Sequence, residues 1–261
     1  MELPEHTSAS QLTTYASCPR KYELRYLEGA ERESTAVGLM LGSAVHASLG
    51  WWHERRNHGA APSVAEAVQV AEADMQASLD GPPVEWGRWT EGDFRAHTEA
   101  MVRFAIDTLG DMPVRASEVR FTLPLVDPTT GRTLPRALLG YYDFVLRDHR
   151  VVELKTSRAE YTDTTVRTSI QFAAYLTAMD EQHSASRLEL EVVVKTKTPR
   201  LQRISLVPTP EIKLWFWQTA AAIERAIAAG HFPPSPGFGC ASCEYRRQCL
   251  GNAQVAYAEA A

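Results

Sequence analysis

In the first part of the chain, apolar side chains recur three or four positions apart, the spacing that gathers them on one side of a helix. Three stretches carry this pattern: VGLMLGSAVHASLGWWHERR from Val37, SVAEAVQVAEADMQASL from Ser63 and EGDFRAHTEAMVRFAIDTL from Glu91. Ahead of them, Ser8 or Ser10 can cap a short helix through Tyr15, and a second helix runs from about Arg20 to Leu27. DGPPVEWGRW, from Asp80, reads as a loop because Gly and Pro break both regular patterns. The middle of the chain then changes character. ASEVRFTLPLV, ALLGYYDFVLR, VVELKTS and RLELEVVVKTK are short, rich in β-branched and aromatic residues and bounded by turn formers, so they predict four strands. TTVRTSIQFAAYLTAMDEQ predicts one helix between the third and fourth strands, and PEIKLWFWQTAAAIERAIAAG a long closing helix ended by Gly230. The expected fold class is α/β, a mixed central sheet flanked by helices. It forms one domain over 1–261, with a helical part at 8–110, a sheet core at 115–207 and a closing helix and loop at 208–250.

Composition narrows the function classes. A 261-residue chain that is 44% hydrophobic can bury a substantial core. No run of about 18 apolar residues occurs, and MELPEHTSAS has neither a basic nor an apolar leader, so the chain is expected in the cytoplasm. With 27 basic against 32 acidic residues, the net charge of −5 argues against coating nucleic acid through bulk positive charge. Basic contacts would have to be local, and PRKYELR from Pro19, KTKTPRLQR from Lys195 and EYRRQ from Glu244 are the candidates.

The four cysteines lie near the two ends: Cys18 alone, then Cys240, Cys243 and Cys249 as C-x2-C-x5-C. In a reducing compartment this spacing favours metal binding over disulfides. Four thiolates suit zinc or an iron–sulfur cluster, and the spacing does not choose between them. Either would tie the N-terminal segment to the C-terminal one.

VVELKTS sets Glu153 and Lys155 two apart on a strand, hence on one face, with Leu154 turned into the core. A three-residue hairpin loop of Asp148, His149 and Arg150 would pair Arg147 with Val151 and set Asp143 opposite Lys155, on the face Glu153 uses. Two carboxylates converging from adjacent strands suit a hard divalent cation, and a lysine beside it can stabilise charge in a displacement at phosphorus. Taken alone, E-x-K is an ordinary ion pair at a sheet edge. His46 can add an imidazole from its helix, Gln171 and Tyr175 share one face of the helix after the E-x-K strand, and Glu118 reads as an exposed strand carboxylate.

Together, G-x-x-x-H (Gly42, His46), G-x-x-D (Gly140, Asp143), E-x-K (Glu153, Lys155) and Q-x-x-x-Y (Gln171, Tyr175), inside the cysteine frame, resemble the RecB-like branch of the PD-(D/E)XK nucleases. The likeness runs from about Ser8 to Leu250 and is nearest to the iron–sulfur members: CRISPR-associated RecB-like exonucleases, their phage-encoded relatives and the AddB nuclease domain. It implies a restriction-endonuclease-like sheet whose terminal segments are joined by a metal cluster. It further implies that His46, Asp143 and Glu153 are metal ligands for Mg²⁺ or Mn²⁺, that Lys155 is the catalytic lysine, and that Gln171 and Tyr175 sit beside the scissile phosphate. Cys18, Cys240, Cys243 and Cys249 would hold a [4Fe-4S] cluster. SCPRKYELRYL also matches the family's opening helix pair, and Glu153 stands where many relatives carry Asp.

The resulting expectation is a metal-dependent DNA exonuclease acting on single strands or DNA ends, with Tyr22, Tyr26, Trp51 or Trp52 available for base stacking. The alternatives are a non-catalytic scaffold that binds DNA or a partner protein, and a zinc-stapled protein whose E-x-K is only an ion pair.

Overall fold

The computed structural model describes residues 3–182, 185 and 187–251. Ser8 accepts a hydrogen bond from the Gln11 N–H at 3.1 Å and so starts α1 (Ala9–Ser17), after which Pro19 opens α2 (Pro19–Tyr22). A π-helical turn over Glu23–Leu27 continues α2. The three amphipathic stretches form α3 (Val37–Asn57), α4 (Val64–Leu79) and α5 (Glu91–Leu109). Ser63 and Glu66 close a reciprocal capping box on α4, which is why that helix begins where the polar pair stands. Just before α3, β1 (Thr35–Ala36) pairs in parallel with β2 (Val84–Glu85), so the segment read as an unstructured loop contains a short strand.

The main sheet contains β3 (Val114–Leu123), β4 (Leu138–Leu146), β5 (Val151–Ser157), β6 (Leu188–Val194) and β7 (Arg200–Leu206), side by side in that order. Its β5–β6 pair is parallel and the others are antiparallel. Two expectations need correction. The segment after β5 is not one helix: α6 (Asp163–Arg167) ends at Thr168, and Ser169 caps a separate α7 (Ile170–Glu181) by accepting from the Phe172 N–H. β7 was not among the expected strands, because half-buried Leu201, Ile204 and Leu206 are interspersed with exposed Arg200, Arg203 and Ser205 and form no apolar run.

One face of the sheet packs against α1, α7 and α8 (Pro210–Ala228), the other against α3, α4 and α5. Gly230 at φ +68° follows α8, a backbone conformation that favours glycine. β6 is buried along its whole length, as suits the strand covered on both faces. Arg136, in the segment before β4, makes two 2.8 Å hydrogen bonds to Glu224 of α8 and lies against the Tyr22 hydroxyl, all three buried.

The N- and C-terminal segments meet through polar contacts. Lys21 pairs with Glu244 at 2.8 Å, and the Glu33 carboxylate accepts the N–H groups of Arg247 and Gln248 at the start of α9 (Arg246–Leu250). The first proposed basic patch is thereby largely neutralised, since Arg20 also pairs with Glu23 and Glu28, whereas in EYRRQ the Arg247 side chain stays exposed, 4.0 Å from Glu33. In the third, Arg200 pairs with Glu160 and Arg203 with Glu191.

Candidate active site

β4 and β5 are paired only at Val145–Val151 and Phe144–Val152, and beyond these they part. The hairpin loop is Arg147, Asp148 and His149, since Leu146 donates to the Arg150 carbonyl and His149 takes φ +66°. The expected register was therefore wrong by two residues. By ladder count this sets Asp143 opposite Glu153 instead of Lys155, at a point where the two strands have already parted. It does not form a ladder pair. Its Oδ2 accepts the Leu154 N–H at 2.8 Å, bridging the widening gap with a side chain.

The other neighbour of Asp143 is also irregular. Glu118 falls between the pairs Ser117–Phe144 and Val119–Tyr142, and has φ +50°. That conformation is sparsely populated by residues other than glycine, asparagine and aspartate. Tyr142 packs into the core beside α7 whereas Phe144 packs into the core beside α3, so the alternation of faces breaks at Asp143. Gly140 makes room for this arrangement: a Cβ there would lie 2.3 Å from the Phe121 ring, which stacks on Tyr142 at 4.5 Å.

Into the gap come groups from both helical layers. His46, one turn beyond Gly42 on α3, reaches to 3.6 Å from Asp143 Oδ2. Lys155 Nζ lies 2.5 Å from Glu153 Oε1, which also accepts from Gln171 Nε2 at 2.9 Å. The same Gln171 nitrogen donates to the Tyr175 hydroxyl at 3.2 Å, so α7 locks one oxygen of Glu153 from its i and i+4 positions. The other oxygen, Oε2, is buried and has no donor among the described residues, with the Asp143 carboxyl as its charged neighbour. A buried carboxylate oxygen without a donor is costly unless a cation meets it.

The electrostatics agree with that reading. Burial, with the Asp143 charge behind it, pushes the Glu153 carboxyl up to about 8. Burial likewise pushes Asp143 up to about 6, against the pull of Lys155. Burial lowers His46, leaving its ring neutral and able to donate an electron pair. For Lys155, burial is outweighed by Glu153 and Asp143, and the ammonium is stabilised. Two buried acids with raised values, of which Glu153 keeps its proton at neutral pH, and one neutral imidazole are a donor set from which a hard divalent cation would displace a proton.

Among the described residues, no three His, Cys, Asp or Glu side chains are already gathered tightly enough to hold a metal ion. His46 approaches Asp143, and Asp143 and Glu153 lie close enough to influence one another, but the three do not close on a common point. The cysteines behave similarly. Cys18 Sγ accepts from the Ser235 N–H at 3.5 Å, Cys240 reaches the Ser235 carbonyl at 4.0 Å, and all four thiols are free and half-buried. Burial pushes the Cys249 thiol up, and Cys18, Cys243 and Cys240 push it the same way, so the four are near neighbours.

Sequence reasoning did not find Tyr161, whose hydroxyl burial pushes up and whose proton Lys155 pulls at. Nothing in its local sequence distinguishes it from a packed tyrosine. Of the four aromatics offered for base stacking, only Trp51 lines the groove of about 840 Å³ that also contains His46 and Glu118. Tyr22 is wholly buried, Tyr26 packs at 5.1 Å from it, and Trp52 donates its ring N–H to the Gly110 carbonyl.

Residues 6–250 match the PD-(D/E)XK nuclease superfamily. The chain belongs to this superfamily. Nucleases of this kind usually use Mg²⁺ or Mn²⁺ and bind DNA, and the donor set of the cleft fits such an ion. A crystal structure described as that of a "putative exonuclease" from Eubacterium rectale shares the fold of this superfamily member: TM-score 0.55, 14% identity, 98% of this chain and 91% of the other covered. The structure of SSO0001 covers 95% of this chain and 96% of its own at 12% identity, with a TM-score of 0.40 too low to carry an argument. No curated protein matches the chain. No helix among the described residues is long and apolar enough to cross a membrane.

Proposed function

We propose that this PD-(D/E)XK chain is a Mg²⁺- or Mn²⁺-dependent deoxyribonuclease of the RecB-like branch, an exonuclease acting on single-stranded DNA or DNA ends. The observation that carries the reading is the meeting of His46, Asp143, Glu153 and Lys155 where β4 and β5 part, with Glu153 Oε2 buried and without a donor among the described residues. His46, Asp143 and Glu153 would hold the ion. When bound, it would polarise the scissile phosphate and make a nucleophile of water at neutral pH.

The chain's own groups have distinct tasks. Gln171 and Lys155 occupy Oε1 of Glu153 and so leave Oε2 as the oxygen available to an ion. The Leu154 N–H holds Asp143 in the gap that strand pairing leaves open. Lys155 remains protonated and presents positive charge where the phosphorane-like transition state builds negative charge. Tyr175, through Gln171, keeps the lysine's partner in place. Affinity would come mainly from phosphates, so cleavage should depend little on sequence and strongly on salt.

In this reading Cys18, Cys240, Cys243 and Cys249 hold a [4Fe-4S] cluster, a structural clamp on terminal segments already joined by Lys21–Glu244 and by Glu33 at α9. Its support is the cysteine frame in the sequence and the raising of the Cys249 thiol by Cys18, Cys243 and Cys240, a repulsion that a metal would relieve.

The test is digestion of end-labelled single-stranded DNA with Mn²⁺ by wild type and Lys155→Ala. Loss of a preorganised charge donor should lower kcat by about a hundredfold or more. Equal degradation by the two proteins, or none by either, ends this assignment.

A further inference from the structure

Beyond the acidic cleft, the segment after β2 brings Arg88 and Trp89 over the start of α3. With His97 of α5, Arg158 just past β5 and Lys195 just past β6, they enclose a cavity of about 150 Å³. Every ionisable group lining it is basic, and among the described residues Arg88, Arg158 and Lys195 form no ion pair. In a chain of net charge −5 this local concentration is not background. Lys195 is half-buried, and burial followed by the Arg158 charge lowers its pKa, the response of an ammonium held among cations without a counter-ion.

Two further features face the same space. The buried Nε2 of His97 has no hydrogen-bond partner. The N-terminus of α3, a 21-residue helix, carries no side-chain cap, and the Lys195 amine lies close to Gly38 in its first turn, 3.6 Å from where a Cβ would stand. Helix N-termini with open N–H groups favour anions. Trp89 supplies an aromatic face beside the cations, 5.1 Å from the His97 ring.

The pocket lies along α3 from the candidate active site, with Gly42 packed against Thr156 of β5 between them. Gly38, Gly42 and His46 form one stripe at i, i+4 and i+8, about 12 Å long at 1.5 Å per residue. Arg158 stands three residues beyond Lys155 along the same strand and its exit. The two places are thus separated by about 12 Å along α3, a span of a few nucleotides.

We propose that Arg88, Arg158 and Lys195, with the open end of α3, form a phosphate-binding subsite that holds the DNA strand a short distance from the bond cut beside His46, Asp143 and Glu153. The ligand's identity rests on the nuclease reading above; the pocket's charge and form do not. Two sources share this chemistry, a terminal phosphate monoester and a backbone diester.

The experiment uses the full chain and its variants Arg158→Ala, Lys195→Met and Lys195→Arg. Fluorescent single-stranded oligonucleotides ending in 5′-phosphate, 3′-phosphate or hydroxyl are titrated by anisotropy in EDTA over a range of NaCl. Arg158→Ala and Lys195→Met should each weaken binding several-fold and lower the salt slope by about 1, and Lys195→Arg should restore most of the affinity. In Mn²⁺ the two weakened variants should show the loss in KM. A wild-type preference for one phosphorylated end that both variants lose assigns the terminal group; a loss equal for all three ends assigns the backbone. Arg158 is exposed, so its substitution tests the subsite even if Lys195→Met fails to fold. Wild-type affinity and salt slope in Arg158→Ala overturn the proposal. Binding as described without cleavage leaves the subsite and removes the nuclease reading; cleavage with unaltered binding in the variants does the reverse.

Discussion

Binding of a divalent cation at the cleft should release protons, and the structure sets how many. Without the ion, Glu153 titrates at about 8 and Asp143 at about 6, while His46 is lowered and neutral. At pH 7 the first carboxyl is about nine-tenths protonated and the second about one-tenth, so binding expels about one proton per ion. The two acids titrate as a coupled pair, and their total is the observable. The same arithmetic gives nearly two protons at pH 5 and about a quarter of one at pH 8.5. Competition with these protons weakens the apparent affinity about thirtyfold between pH 8.5 and pH 6.5, about 2 kcal/mol. Calorimetric titration with Mn²⁺ in buffers of different ionisation enthalpy measures the release directly. Heats that do not depend on the buffer at pH 7, or equal affinities at pH 6.5 and 8.5, would refute both the burial of these carboxyls and their role as ligands.

The same raised values predict a stability profile: without a divalent ion, the folded state holds protons that the unfolded chain has lost. Stability should therefore fall as pH rises from about 4.5, the ordinary glutamate value, through about 8, and Mn²⁺ should reverse the trend in thermal melts. Removing Glu224 by Glu224→Ala strands the buried Arg136 guanidinium and should cost about 3–5 kcal/mol, read from denaturant unfolding. Protein purified without oxygen should be brown, and Cys243→Ser should be colourless with a lower Tm; a colourless wild type containing zinc would replace the cluster with that ion.

How much of this was legible in the chain can be seen element by element. Helices α3, α4, α5 and α8 could be read because their periodicity and caps are local, and Ser63 with Glu66 marks its helix start within four residues. The break between α6 and α7 was hidden because Thr and Ser read as helix interior until Ser169 is seen accepting from Phe172. The register was off by one pleat repeat, since Asp148, which bonds the Arg150 N–H and guanidinium, sits within either possible three-residue loop. Tyr161 had no local signal, and of the basic pocket only Lys195 stood in a stretch already marked as basic. Arg88, His97, Arg158 and Lys195 lie far apart in the chain and are brought together only by the closure of α3 and α5 over the ends of β5 and β6.

By itself, the sequence determined the kinds of element, the shared face of Glu153 and Lys155, the pairing of Gln171 with Tyr175 and the family to which they belong. These follow from periods of 2 and 3.6 residues acting on neighbours. Only the tertiary structure decided that β4 and β5 separate after two pairs, that Asp143 crosses the gap to Leu154, and that one oxygen of Glu153 is left buried without a donor among the described residues. Those facts depend on contacts between residues distant in the chain, and burial, which sets the charge state of every group in the cleft, is a property of the packed molecule and not of any segment.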